Sequence, residues 1–69
     1  MMRWLKLRRM RRAYRQLSEH DRAIFGSVRF DDLDYIRTAA LHGCSVDEVE
    51  RTIVRVLVAL DRAATRRRE

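Results

Sequence analysis

His42 and Cys44, one residue apart across Gly43, are the most reactive pair of side chains in this sequence, and His20 is the only other histidine. Two ligands with no second pair fall short of the four that a structural zinc site needs at recognisable spacing. No metal is therefore expected. Cys44 is the sole cysteine, so it has no partner for an internal disulfide, which fits a reducing cytoplasm. A nucleophile needs a base and a group to orient that base, and no such set accompanies Cys44. With no phosphate-binding loop either, the expectation is a protein without cofactor that acts by binding rather than by catalysis.

Binding chemistry is carried by charge. The net charge of +6 is unevenly divided. Residues 1–15 hold seven basic side chains and no acid, residues 16–61 hold five arginines against nine acids, and residues 62–69 hold four arginines and Glu69. Both ends are basic and the middle is mildly acidic, so a uniform argument from the overall charge would mislead. Residues 1–15 lack the uninterrupted apolar run of a signal peptide. Nothing in the chain approaches the roughly 20 apolar residues of a membrane span.

The elements that must position these charges are helices. There is no proline, only two glycines, and few β-branched residues before the last third, a balance that favours helix over strand. With 69 residues, one small domain is all the chain can build, and such a domain hides only about 60% of its unfolded surface. Trp4, Leu7, Met10, Tyr14 and Leu17 recur at helical spacing with arginines between them, predicting a basic amphipathic helix over 1–16. Its stripe has three fates: packing on its own domain, lying on nucleic acid, or meeting an anionic membrane or a partner, a second copy included.

Ser18-Glu19-His20-Asp21 has the form of a capping box. The helix after it is expected to bury Ile24, Phe25 and Val28, with Phe30 a further candidate. Gly26 weakens its middle or permits a close helix contact. Asp34 can cap a short third helix from Tyr35 to about Leu41. Gly43 suits a left-handed helix end. Ser45-Val46-Asp47-Glu48 is a second capping box, with acids where the helix dipole favours them. The last helix carries Val46, Val49, Ile53, Val56, Leu57 and Leu60 on one side and runs to about Ala64. The expected architecture is thus all-α, with about four helices: a basic helix over 1–16, a domain over 17–64 and a basic tail over 65–69.

A short helix, a glycine turn and a longer helix form the pattern of a helix-turn-helix. Ala39, four before Gly43, is small enough to let the two helices approach. Val49, six after it, plugs the angle between them, and Ile36, Leu41, Val46 and Ile53 complete the wedge. A plain helical hairpin is the structural alternative.

From Leu17 to Leu60 the chain resembles the C-terminal domain of bacterial sigma factors of the extracytoplasmic-function type, which reads the upstream promoter element. Leu17, Arg22 and Phe25 correspond to the family's opening pattern. Arg29-Phe30-Asp31-Asp32-Leu33-Asp34-Tyr35 is similar to its Arg-Phe-acid-Gly-Leu-Ser-Tyr stretch, and Ala39 to Val49 to its Ala-x-x-x-Gly-x-Ser-Val-x-x-Val. Val49-Glu50-Arg51-Thr52-Ile53-Val54-Arg55 looks like the iron-uptake subgroup. Asp32 stands in place of the family's turn glycine, Arg37 in place of a capping acid, and Gly26 and Ser27 in place of core aliphatics. Residues 1–15 are too few for the separate domain with which sigma factors bind the polymerase clamp, so a stand-alone regulator, a polymerase-binding accessory protein or a relic fragment is expected.

The resemblance implies double-stranded DNA as the partner, read by the last helix. It places Glu50, Arg51, Thr52 and Arg55 in the major groove, where arginine grips guanine and glutamate accepts from cytosine. Ser45 and Asp47 join them at the helix start, and Arg37 holds a phosphate. Arg8, Arg9, Arg11, Arg12, Arg66 and Arg67 are the auxiliary basic contacts. Counting by four, Glu48 meets Thr52 and Arg51 meets Arg55, so no acid-to-base ladder is expected to occupy this face. The other function compatible with the resemblance is an interaction module that binds RNA polymerase, a sigma factor or an anti-sigma factor without reading bases.

Overall fold

The computed structural model describes the backbone of residues 2–65 and the side chains of residue 5 and residues 7–65. Among them the chain is all-α: α1 (Met2–Arg15), α2 (Glu19–Arg29), α3 (Tyr35–His42) and α4 (Val46–Thr65). Each boundary after α1 has a local chemical cause. Ser18 Oγ accepts the Asp21 backbone N–H at 3.1 Å, Asp34 Oδ1 accepts that of Arg37 at 2.7 Å, and Ser45 Oγ accepts that of Glu48 at 3.0 Å. These satisfy helix-start donors that have no partner inside the helix. In none of the three does the third residue reach back: Asp21 and Glu48 turn their carboxylates to other helices instead.

The end of α3 is set by Gly43, at φ +66°. Its N–H bonds back to Ala40, and the Cys44 N–H bonds to Ala39, the paired bonds of a Schellman end. A second left-handed residue, Asp32 at φ +60°, occupies the position where the sigma pattern has glycine. Aspartate tolerates this region better than most side chains.

The core consists of Ile24, Phe25, Ala39, Val49, Ile53 and Val56, with Tyr14, Leu17, Val28, Tyr35, Cys44 and Leu60 packed around it. α4 is the spine, touching all three other helices, and its most extensive contact is with α1. The stripe of α1 therefore packs on its own domain through Tyr14 and Leu17. Leu5 and Leu7 stay about half exposed.

Several expected core positions are outside. Phe30 is 71% exposed, because it follows the last turn of α2 and leaves along the surface. Ile36 and Leu41 sit on the outer face of α3, whose eight residues turn Thr38 and Ala39 inward instead. Val46 and Leu57 are also exposed, so of the proposed wedge only Ala39, Val49 and Ile53 are buried.

The core also holds polar groups. Ser27 Oγ lies 3.0 Å from the Ala23 carbonyl and 2.9 Å from His42 Nε2, and with one proton it donates in one contact and accepts in the other. This bond joins α2 to the end of α3, which accounts for a serine at a core position. Thr38 Oγ1 is buried without a partner among the described residues, a cost of about 1–3 kcal/mol.

Gly26 is not a close-contact glycine. A Cβ built there meets Phe30 Cδ2 at 3.6 Å and Tyr14 Oη at 4.0 Å, which is ordinary packing distance. Gly26→Ala is therefore expected to stabilise the fold by about 0.5–1 kcal/mol. Thermal melts would read this as a rise of several degrees.

Candidate functional site: the α3–α4 corner and the arginine face of α1

The corner is built by Gly43 and braced by a contact between small and branched residues. Ala39 is 5% exposed and Val49 is wholly buried, so the two helices close on each other where the turn reverses. α4 then departs with its first turn toward solvent. Ser45, Asp47, Glu50 and Arg51 are exposed there, as is Arg37 at the start of α3.

Two expected site residues are placed otherwise. Thr52 is wholly buried and cannot touch a base. It belongs to the inward row Val49, Thr52, Ile53, Val56, spaced by three, one and three, as an inward helix face requires. Arg55 is partly exposed at its side chain (57%), but it is committed to Asp21 of α2, whose side chain is only 14% exposed. Its Nη2 lies 2.9 Å from Asp21 Oδ1, its Nε donates to Asp21 Oδ2 at 3.4 Å, and Nη2 also reaches Thr52 Oγ1 at 3.3 Å. Hydrogen bonding to Asp21 and its charge raise the Arg55 pKa above its ordinary value. Arg55 thus fastens α4 to the first turn of α2.

Arg51 has a different tie. Its guanidinium pairs with Asp47 at 2.6 Å, with both side chains mostly exposed (75% and 63%). This is the acid-to-base pair at a spacing of four that the sequence reading missed by counting from Glu48. Exposed pairs of this kind contribute only about 0.3–0.5 kcal/mol, so Arg51 exchanges partners readily. Glu48 stands 3.2 Å from His20, a second exposed link between the starts of α2 and α4. The corner is therefore acidic on balance, with Asp47, Glu48 and Glu50 around Arg51.

The positive charge lies elsewhere. Arg8, Arg9, Arg11, Arg12 and Arg15 line a groove of about 360 Å³ beside Leu5 along α1. All five are exposed, and no acid stands in α1. α1 packs near Leu60, nine residues beyond Arg51, which is about 14 Å of helix rise. Arg66 and Arg67 lie outside the described residues. No helix among the described residues is long and apolar enough to cross a membrane. No group of three or more His, Cys, Asp or Glu able to hold a metal occurs among them.

Comparison with protein-family models, with curated proteins and with solved structures found no match.

Proposed function

We propose that the chain is a DNA-binding transcription regulator of helix-turn-helix type, resembling a sigma-factor C-terminal domain. The observation that carries this reading is the α3–α4 corner. A left-handed glycine ends α3, and Ala39 and Val49 share one core, while Glu50 and Arg51 on α4 are exposed. Such an exposed helix face fits a major groove about 12 Å wide. Arg51 then leaves Asp47 for a guanine edge, Glu50 accepts from a cytosine amine, and Arg37 and Ser45 contact the phosphates on either side. Asp47 acts as the resting partner of Arg51 and sets a barrier against sequences that give Arg51 no acceptor.

An acidic corner has little affinity for a duplex by itself. The neutralising charge comes from α1, whose arginines meet the backbone flanking the groove. Four phosphate contacts from Arg8, Arg9, Arg11 and Arg12 give a salt slope of about −3.6, at roughly −0.9 per contact. Affinity for duplex DNA should therefore fall about a hundredfold between 50 and 200 mM salt. Replacing these four arginines by glutamine should flatten that slope. Fluorescence anisotropy at several salt concentrations measures both. Tight binding that ignores salt would contradict the proposal.

A second reading draws on Ile36 and Leu41, both more than 60% exposed on the outer face of α3. In it the corner docks on RNA polymerase, a sigma factor or an anti-sigma factor without reading bases. Charge reversal at Arg37 and Arg51 separates the two, because a reader loses DNA while an adaptor keeps its protein partner. Arg55 is unsuited to that test, since its reversal would loosen α2 from α4.

A further inference from the structure

A second surface, between α1, α2 and α4, has the chemistry of a peptide groove. Tyr14, Phe25 and Leu60 form its floor between α1, α2 and α4, and Leu7, Met10 and Phe30 stand along its edges. Its volume is about 300 Å³, and its lining is predominantly apolar. The aromatic floor is fixed before anything binds. Tyr14 and Phe25 have centroids 6.0 Å apart, and Phe30 meets Phe25 edge-on at 6.2 Å. The Phe30 N–H bonds to the Gly26 carbonyl at 2.8 Å, which holds that residue in place while its ring is 71% exposed. A large aromatic kept outside but held in position is a poor way to fill a core and a good way to present an anchor site.

Arg11 and Arg15 form the rim; Arg11 also lines the arginine groove assigned above to phosphates, so peptide and duplex compete for it. Neither is ion-paired among the described residues, and no acid lines the groove. We infer that this groove docks an acidic amphipathic helix of a partner protein, whose apolar side chains enter between Tyr14, Phe30 and Leu60 while its carboxylates meet Arg11 and Arg15. The mode is a helix laid in a groove, read by anchors three and four residues apart.

Charge selects this occupant over the others. A second copy would bring another α1, with seven basic side chains and no acid in residues 1–15, against the same rim. Like-charge contact of that sort opposes association. An anionic bilayer offers suitable charge but the wrong shape. A helix lying on a membrane turns its apolar stripe outward, whereas Tyr14 and Leu17 are turned in against the core. Duplex nucleic acid offers phosphates to the rim but keeps its bases stacked inside, away from an apolar floor.

The test uses the full chain and a fluorescein-labelled designed helical peptide, with leucines at i, i+4 and i+7 and glutamates on its remaining face. A second peptide of the same composition has the leucines scrambled. Binding of the patterned peptide should shift the NMR signals of Leu7, Met10 and Leu60. It should weaken about tenfold or more in Phe30→Ala, which gives up the edge contact with Phe25 and so lowers the melt by a few degrees while folding stays cooperative. Arg11→Glu should weaken it more than Arg12→Glu, which lies away from the groove. Equal affinity for the scrambled peptide would overturn the proposal, as would indifference to Phe30→Ala. So would Phe30-dependent sedimentation with phosphatidylglycerol vesicles in place of peptide binding, or a dimer in solution that Phe30→Ala dissolves.

Discussion

Val49→Asp is expected to abolish cooperative folding, while Val54→Asp, on the same helix, leaves the melt within about 0.5 kcal/mol of the parent. Val49 is wholly buried between α3 and α4, and Val54 is 56% exposed on the opposite face. A chain of 69 residues has a total stability of about 3–10 kcal/mol at typical values per residue. An unpaired carboxylate in a core costs several kcal/mol. Here the penalty falls in the core that Val49 shares with Ala39 and Ile53. Circular dichroism melts of the two variants decide it. A cooperative transition for Val49→Asp near that of the parent would mean that α3 and α4 do not close at this contact. The functional reading would fail with it, because a corner that is not braced cannot hold Arg51 outward.

The features legible in the sequence are those fixed within a few residues. Ser18, Asp34 and Ser45 announce helix starts, because a short polar side chain can bond only to N–H groups two or three positions ahead. Gly43 announces a reversal because few residues other than glycine adopt its φ cheaply. Ala39 and Val49 followed from the turn between them. Thr52 was also legible and was misread. The row Val49, Thr52, Ile53, Val56 keeps the inward period whatever the polarity of its second member, yet the resemblance assigned Thr52 to DNA. The Asp47–Arg51 pair was likewise present at a spacing of four. By contrast, Arg55 to Asp21 spans 34 positions, and nothing local indicates it. The outward turn of Phe30 and Ile36 depends on how short helices exit the core, which apolar pattern alone cannot show. Hydrophobic residues are common on protein surfaces, so the sequence marks Phe30 as a core candidate and gives no sign of the groove beside it.

Arg55 and Arg51 look interchangeable in the sequence, and they should respond in opposite ways to removal. Arg55→Ala is expected to destabilise the fold by about 1–2 kcal/mol, because it strips two charge-assisted bonds from an Asp21 side chain that is only 14% exposed. The value sits at the lower end of the usual range because Arg55 itself is largely in water, where screening weakens the pair. Asp21→Asn should reproduce part of the loss, and the double variant Asp21→Asn with Arg55→Ala should lose less than the two singles added together. The guanidinium keeps its charge across the usable pH range. Its pKa is raised further by Asp21, so the stability it supports is complete below the unfolded-state value and lost only above the folded one, and no window opens near neutrality. Arg51→Ala, by contrast, should alter the melt by less than about 0.5 kcal/mol, since its pair with Asp47 is exposed on both sides. Its effect should appear in DNA recognition instead, as a loss of about 1–3 kcal/mol in discrimination at one base position. Melts and competition binding on the two variants separate these roles. If Arg51→Ala were the destabilising change and Arg55→Ala the silent one, Asp21 would not be what holds α2 to α4, and the α4 face assigned to DNA would have to be turned by one helical row.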